Sequence, residues 1–205
     1  MRLLVVGAGG HAKVVIDAAR LAGFEVVAAV GRDGDPAELM GVRVVHRGDP
    51  VDADAFIAAI GNNKTRAEAY AGYRELGMTA ATVVHPSAIV SPEASLGAGT
   101  FLAAGAIVNV HARIGENAIL NTGCKVDHDV VIGDHAHIGP NVALCGGVRI
   151  GEGVLMGVGS SVIPMAEVGE WSVVGAGAAV VDDLAGGTVF AGVPAVAIGK
   201  TGELS

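Results

Sequence analysis

An aliphatic residue falls at every sixth position from Val84 to Val180 without a break. The series of seventeen is Val84, Val90, Leu96, Leu102, Val108, Ile114, Leu120, Val126, Ile132, Ile138, Leu144, Ile150, Met156, Val162, Val168, Val174 and Val180. A small or β-branched residue stands two places before almost every one, among them Ala88, Ala106, Ala118, Cys124, Val130, Ala136 and Ser160. A glycine often follows, as in Ile114-Gly115 and Ile132-Gly133. A period of six suits neither an α-helix nor a sandwich of hairpins. It is the repeat of a parallel β-helix. Alternate residues of a strand face one side, so the aliphatic residue and the small one two places earlier both point inward and fill a narrow triangular core. The glycine is expected to ease the corner. Three hexapeptides make one coil of about eighteen residues, so about five coils fit and residues eighteen apart stack.

The composition shifts where this stretch begins. Residues 1–82 hold nine of the thirteen Lys and Arg residues, while the repeat holds only Arg113, Lys125 and Arg149. The expected organisation is an α/β domain over 1–82, a β-helix over 83–182 and a C-terminal segment over 183–205. The net charge of −8 argues against nucleic acid and anionic membranes as partners. No apolar run is long enough to span a bilayer. The N-terminal apolar stretch is too short for a signal peptide and reads as a buried strand. Two cysteines, Cys124 and Cys145, make no disulfide framework, which fits a cytoplasmic protein.

The first domain reads as a small Rossmann-like βαβ unit. Leu3–Val6 is a strand, Gly7-Ala8-Gly9-Gly10-His11-Ala12 is a glycine-rich turn, and His11 to Ala22 carries helical spacing that Gly23 stops. Val26–Val30 and Phe56–Ile60 are further strands, and Thr65–Leu76 is a second helix. Backbone N–H groups at the start of the first helix suit a pyrophosphate. The unit lacks the second half of a full dinucleotide fold, so a nucleotide diphosphate fits better than NAD. Gly9, Gly10, His11 and Lys13 are then the phosphate loop. Asp33, in Gly31-Arg32-Asp33-Gly34-Asp35, is available near the end of the second strand.

The chemistry concentrates between Asn121 and Ile138. The repeat assigns Cys124, Val126, Val130, Ile132, Ala136 and Ile138 to the core, which leaves His128 and His137 outside it. His128 falls at a corner, with Gly146 one coil above it, and a glycine over a histidine leaves room for a substrate. Asp127 and Asp129 flank His128. A carboxylate on one ring nitrogen fixes the tautomer and raises the basicity of the other, as a general base requires. His128 and His137 are half a coil apart and belong to different faces, so they meet only across an interface between neighbouring prisms. A homotrimer with sites between subunits is expected. His111 and His135 are expected at the surface. Cys124 occupies an inward slot and should be inert. Cys145 faces outward near His128 but has no base beside it. Zinc held by His128, His135 and His137 is the competing use of these histidines; no metal is expected.

With these residues in view, the chain resembles the bacterial sugar O-/N-acetyltransferase family. That family joins an N-terminal nucleotide-sugar domain to a left-handed β-helix, and it includes UDP-4-amino-sugar and perosamine N-acetyltransferases and sialic acid O-acetyltransferases. The marks are Gly7-Ala8-Gly9-Gly10-His11-Ala12-Lys13, Ala59-Ile60-Gly61-Asn62, His85-Pro86-Ser87-Ala88, Asn121-Thr122-Gly123, Val126-Asp127-His128-Asp129 and Ala191-Gly192-Val193-Pro194-Ala195. The resemblance implies His128 as general base, Asp129 as its orienting acid, and His137 near the thioester of acetyl-CoA. It implies Asn121 beside the acceptor sugar and Gly10, His11 and Lys13 at the nucleotide sugar. It lays the Ala191–Ala195 segment along coenzyme A, with Lys200 near the coenzyme's phosphates. Gly146 and Gly175 complete the expected coenzyme contacts. The Gly31–Asp35 segment departs from the uridine-binding pattern of acids directly at the strand end, which leaves UDP- and GDP-linked acceptors both open. The expected activity is acetyl-CoA-dependent N-acetylation of a nucleotide-linked amino sugar at C4, without an acyl-enzyme. O-acetylation of a sialic-acid-type sugar and a non-catalytic trimeric binding protein are the alternatives.

Overall fold

A computed structural model describes residues 1–202. The chain opens with a parallel sheet in which β1 (Arg2–Val6), β2 (Glu25–Gly31), β4 (Val42–His46), β5 (Ala55–Ala58) and β6 (Thr79–Ala80) run in one direction, and β3 (Glu38–Leu39) pairs antiparallel at the edge. The strand order is β3-β4-β2-β1-β5-β6. The order reverses at β1, so the carboxyl ends of β1 and β5 flank a crevice of the kind where open α/β sheets hold ligands. Helix α1 (Gly10–Leu21) starts at that crevice, and helix α2 (Asn63–Glu75) starts beside it, capped by the Asn62 side chain accepting from the Thr65 N–H at 3.0 Å.

The hexapeptides then form a three-sided prism of two-residue strands. One face stacks Val83–Val84, Phe101–Leu102, Ile119–Leu120, His137–Ile138, Leu155–Met156 and Val173–Val174. The second carries Ile107–Val108, Lys125–Val126 and Ala143–Leu144, and the third Arg113–Ile114, Val131–Ile132 and Arg149–Ile150. Residues eighteen apart are in register throughout, as with Leu102, Leu120 and Ile138. The inward aliphatic column is continuous and buried, from Leu102 and Ala106 to Val180.

Glycine's place in the repeat has a different cause from the one expected. A Cβ on Gly133 would lie 2.6 Å from the Glu152 nitrogen of the next coil, so this glycine serves close stacking of coils. The left-handed backbone that turns the corner falls two residues further on, where glycine carries it in some coils (Gly123, φ 68°) and other residues in the rest: His135 has φ 59° and Asn141 φ 56°. Asn tolerates this region better than most residues.

Helix α1 lies between its own sheet and the first face of the prism. Ala12, Val15, Ile16 and Ala19 share a core with Val83, Phe101 and Ile119. Those three prism residues are outward-facing in the repeat but apolar because the α/β unit covers them. Beyond the prism, Thr188–Ala191 adds to the first face against Val173–Val174, and Val196–Lys200 folds back antiparallel to it.

Candidate active site

His128 stands in the turn between the second and third faces. Its Nδ1 lies 2.8 Å from Asp129 Oδ2, and its backbone N–H donates to Asp127 Oδ1 at 2.8 Å. Asp127 also accepts from Asn109 Nδ2 at 3.0 Å, one coil below. The backbone bond from His128 holds the Asp127 carboxyl below its usual range, with the Asn109 bond adding to it. The Asp129 hydrogen bond raises the His128 imidazole above its usual value, with Asp127 adding to the effect. Asp129 sits at φ 60°, in the left-handed turn of the corner, which carries its carboxylate back to the preceding ring. A proton on Nδ1, donated to Asp129, leaves Nε2 as an acceptor.

His128 lines a cavity of about 630 Å³ together with Arg113, Cys145, Gly146, Arg149 and Met165, among others. Gly146 stacks directly over the imidazole. A Cβ there would come within 2.5 Å of Cε1 and Nε2, so only glycine leaves the ring its position and its access. The Gly146 N–H has no acceptor among the described residues, whereas Gly147 donates to the His128 carbonyl at 3.0 Å.

The other predicted histidine lies on the first face, under the α/β unit. His137 Nδ1 is 3.4 Å from the Gly61 carbonyl, and Nε2 is 3.0 Å from Asn121 Nδ2. These partners define a neutral ring that donates from Nδ1 and accepts at Nε2. His11, in the first turn of α1, brings its ring centroid within 6.1 Å of His137 and packs edge-on to Phe101 at 5.6 Å. Burial pushes both imidazoles down to about 4; the neighbouring His137 and then Arg66 add to the effect at His11, and Arg66 adds to it at His137. The buried His11 Nε2 has no hydrogen-bond partner. His11, Asn121 and His137, which the sequence reading gave three separate roles, meet in one cluster on the first face, away from the turn that carries His128.

The seam between the two units depends on a residue that the sequence did not single out. Arg66, in the first turn of α2, is fully buried. Its guanidinium donates to the carbonyls of Ile60 (3.0 Å), Asn117 (3.1 Å) and His135 (2.6 Å) and to Asn63 Oδ1 (2.9 Å), with longer bonds to Gly61 and Ala136. Among the described residues no carboxylate pairs with it; burial pushes its pKa down to about 9, so it remains a cation at neutral pH. Asn63 donates across the seam to the Gly153 and Val154 carbonyls at 3.0 and 3.1 Å. His135, expected at the surface, is half-buried in this seam: its Nδ1 lies 2.9 Å from Asn117 Nδ2, and its ring meets Tyr70 edge-on. The expectation failed because the α/β unit covers outward positions that the repeat alone assigns to solvent.

The remaining predicted residues are more dispersed. Gly9 caps α1 without a side chain, and a Cβ on Gly9 or Gly10 would meet nothing, so the loop faces open space with Lys13 exposed beside it. Asp33 is exposed, 3.6 Å from His46 Nδ1, while Asp35 folds back to accept from the Arg32 N–H at 2.7 Å. Gly175 packs under Ala191, and Lys200 Nζ donates to Thr188 Oγ1 at 3.0 Å; neither lines the His128 cavity. Cys124 is fully buried, and burial pushes its thiol up to about 12, which makes it inert as expected. Cys145 lines the His128 cavity. Among the described residues no cluster of His, Cys, Asp and Glu is arranged to hold a metal ion, and no helix is long and apolar enough to cross a membrane.

A hexapeptide prism with an open histidine–aspartate pair on one corner defines an acyltransferase. Residues 2–72 match the PglD N-terminal domain, and residues 111–146 match the bacterial transferase hexapeptide of six repeats. The chain is similar to PerB from Caulobacter crescentus, solved with CoA and GDP-perosamine, at 41% identity and a TM-score of 0.90, covering 97% of this chain and 98% of that one. A mutant perosamine N-acetyltransferase from the same organism, with the same two ligands, matches at 38% identity and a TM-score of 0.92 over 98% of both chains. The acetyltransferase domain of PglB from Neisseria gonorrhoeae, in complex with acetyl coenzyme A, matches at 32% identity and a TM-score of 0.90 over 96% of this chain and 98% of that one. Among curated proteins compared by sequence, none matches. The chain belongs to the nucleotide-sugar N-acetyltransferase family, in which a PglD-type N-terminal domain precedes a left-handed β-helix.

Proposed function

We propose that the chain transfers the acetyl group of acetyl-CoA to the C4 amine of a nucleotide-linked amino sugar, with His128 as general base, in a homotrimer. The observation that carries this reading is the His128–Asp129 pair, open to a cavity beneath a glycine that the ring itself requires. The crystal neighbours with CoA and GDP-perosamine support the same donor and acceptor classes here, and favour a guanosine-linked acceptor.

The chemistry follows from the geometry. The neutral amine attacks the thioester carbonyl as Nε2 of His128 takes its proton. Asp129, on Nδ1, fixes the tautomer and stabilises the imidazolium that forms. The free N–H of Gly146 is the donor that faces the developing oxyanion. When the tetrahedral intermediate collapses, the carbon–sulfur bond breaks and the thiolate takes the proton back from His128. No acyl-enzyme is required, and the buried Cys124 is unsuited to form one.

The seam is assigned to the acceptor. The Gly9–Lys13 loop at the start of α1 holds the diphosphate, and Asn121, His11 and His137 form a neutral polar cluster for the sugar and acetyl groups. The segment after Phe190, with Gly175 and Lys200, lies along the coenzyme. His128 stands at a corner away from its own chain's seam, so a complete site takes the seam of a neighbouring copy, and three copies close the ring. Asp33 lies at the nucleotide's base end in this reading. The deciding measurement is thiol release from acetyl-CoA against a panel of UDP- and GDP-linked amino sugars and of free sugars. Release with a nucleotide amino sugar is expected; release only with a hydroxyl acceptor such as sialic acid would move the reading to O-acetylation.

A further inference from the structure

The prism is acidic, yet its few cations are gathered on one side. Residues 83–182 contain nine acids and three bases. Two of those bases, Arg113 and Arg149, line the His128 cavity. The third, Lys125, lines an adjoining cavity that shares Asp127 and Cys145 with it. All three side chains are exposed, and among the described residues none makes an ion pair. Arg113 and Arg149 stand in one column of the third face, one coil below and one coil above Val131, so they bracket the level of Asp129 and His128. Glu167, the next residue up that column, lies too far from Arg149 to form an ion pair.

Two guanidinium groups without a carboxylate partner share the cavity of a general base, and their place there calls for an anion that arrives with substrate. Guanidinium is the side chain best matched to a phosphate oxygen pair. Both substrates carry phosphates, but at different reach. In coenzyme A the whole pantetheine arm separates the thioester from the first phosphate. In a nucleotide-linked sugar the diphosphate hangs from C1, across a single ring from the amine at C4. Only the second arrangement puts phosphate in the same cavity as the reacting nitrogen.

We infer that Arg113 and Arg149 close on the diphosphate of the acceptor from the prism side, opposite the neighbouring copy's Gly9–Lys13 loop, one on each side of the level of His128, and so set both its affinity and the direction in which the sugar amine points. This rests on the reading of the acceptor as a nucleotide-linked sugar. It also gives the enzyme a physical basis for preferring the nucleotide-linked sugar over the free one, in addition to any contact with the base.

The test uses the full-length protein and the variants Arg113→Gln, Arg149→Gln and the double variant. Both positions are exposed, so the melting temperature should stay at the wild-type value. Loss of two charge-assisted contacts should raise the KM for the nucleotide sugar about tenfold or more, leave the KM for acetyl-CoA within about twofold, and flatten the dependence of acceptor KM on salt. Arg→Lys at either position should restore part of the loss. An acceptor KM that does not move in the double variant overturns the clamp. So does a rise in the acetyl-CoA KM with the acceptor spared, which would assign the arginines to the coenzyme's phosphates. If wild-type protein releases no thiol with any nucleotide amino sugar, the functional reading itself fails, and the clamp fails with it.

Discussion

Three histidines of the proposed site are tuned in opposite directions by where they sit. His128 is exposed and bonded to an acid, so its proton affinity is raised. His11 and His137 are buried beside a cation, so theirs falls to about 4. The first can accept a proton near neutral pH; the other two stay neutral and can only donate or accept hydrogen bonds. His128→Ala should lower kcat by about two to four orders of magnitude, with little change in acetyl-CoA affinity measured by calorimetry. The base must be neutral to act, so kcat/KM should rise as pH rises through the His128 pKa, which Asp129 holds above 6.5. Asp129→Asn keeps a side chain that tolerates the left-handed corner but withdraws the charge. It should move that acidic limb to lower pH and cost less activity than His128→Ala. A limb that stays in place in Asp129→Asn would show that the carboxylate does not tune this imidazole. His128, Asp129 and Gly146 were readable from the repeat alone, because a fixed eighteen-residue stack places a glycine over a histidine by counting. His137 was read as outward correctly, but its burial was not foreseen. The one available sign was its column, where Val83, Phe101, Ile119 and Leu155 are apolar and a single histidine interrupts them.

At the scale of elements, helix α2 is held in place by a cation in an unfavourable position. The first turn of a helix disfavours positive charge, and Arg66 is buried there without an acid. The compensation is a set of carbonyls from both units that point at one guanidinium. Arg66→Met keeps much of the volume but leaves the Ile60, Asn117 and His135 carbonyls without a donor, at about 1–3 kcal/mol for each group left unsatisfied. A loss of more than about 3 kcal/mol in chemical denaturation is expected on that basis, and Arg66→Lys should recover only part of it because ammonium lacks the planar fork. A loss under half a kcal/mol would show that the seam does not need the arginine. Nothing in local spacing announced this contact. Arg66 meets residues 51 and 69 positions away, and that meeting depends on how two independently periodic units dock. The two helices and the strands β1, β2 and β5 were legible from pattern to within a few residues; β3, β4 and β6 were not read, and neither was the docking.

At the scale of the whole molecule, one chain carries two half-sites that face apart. His128 lies in the turn between the second and third faces, and the His11–His137 cluster lies on the first. Under the proposed function the copies have to associate before either half is of use. Light scattering at micromolar concentration should give a mass three times that of the chain, and dilution below the dissociation range should remove activity while leaving the fold intact. Mixing His128→Ala with a seam variant such as His137→Ala should restore a fraction of the activity, because some interfaces in the mixed assembly then pair two intact halves. A fully active monomer would contradict this assembly.

The seam has a further consequence for how such enzymes diversify. The Arg66 guanidinium addresses main-chain carbonyls of the prism, from Asn117, His135 and Ala136, while the Asn117 side chain donates back to the Arg66 carbonyl at 3.4 Å. That guanidinium reads the shape of a coil, and every coil of this repeat offers nearly the same shape. The α/β unit is thus attached partly through a plug of standard form and partly through side chains such as Val83, Phe101 and Ile119, which meet helix α1. Sequence drift in the prism passes unnoticed at the first kind of contact and is felt across the joint at the second.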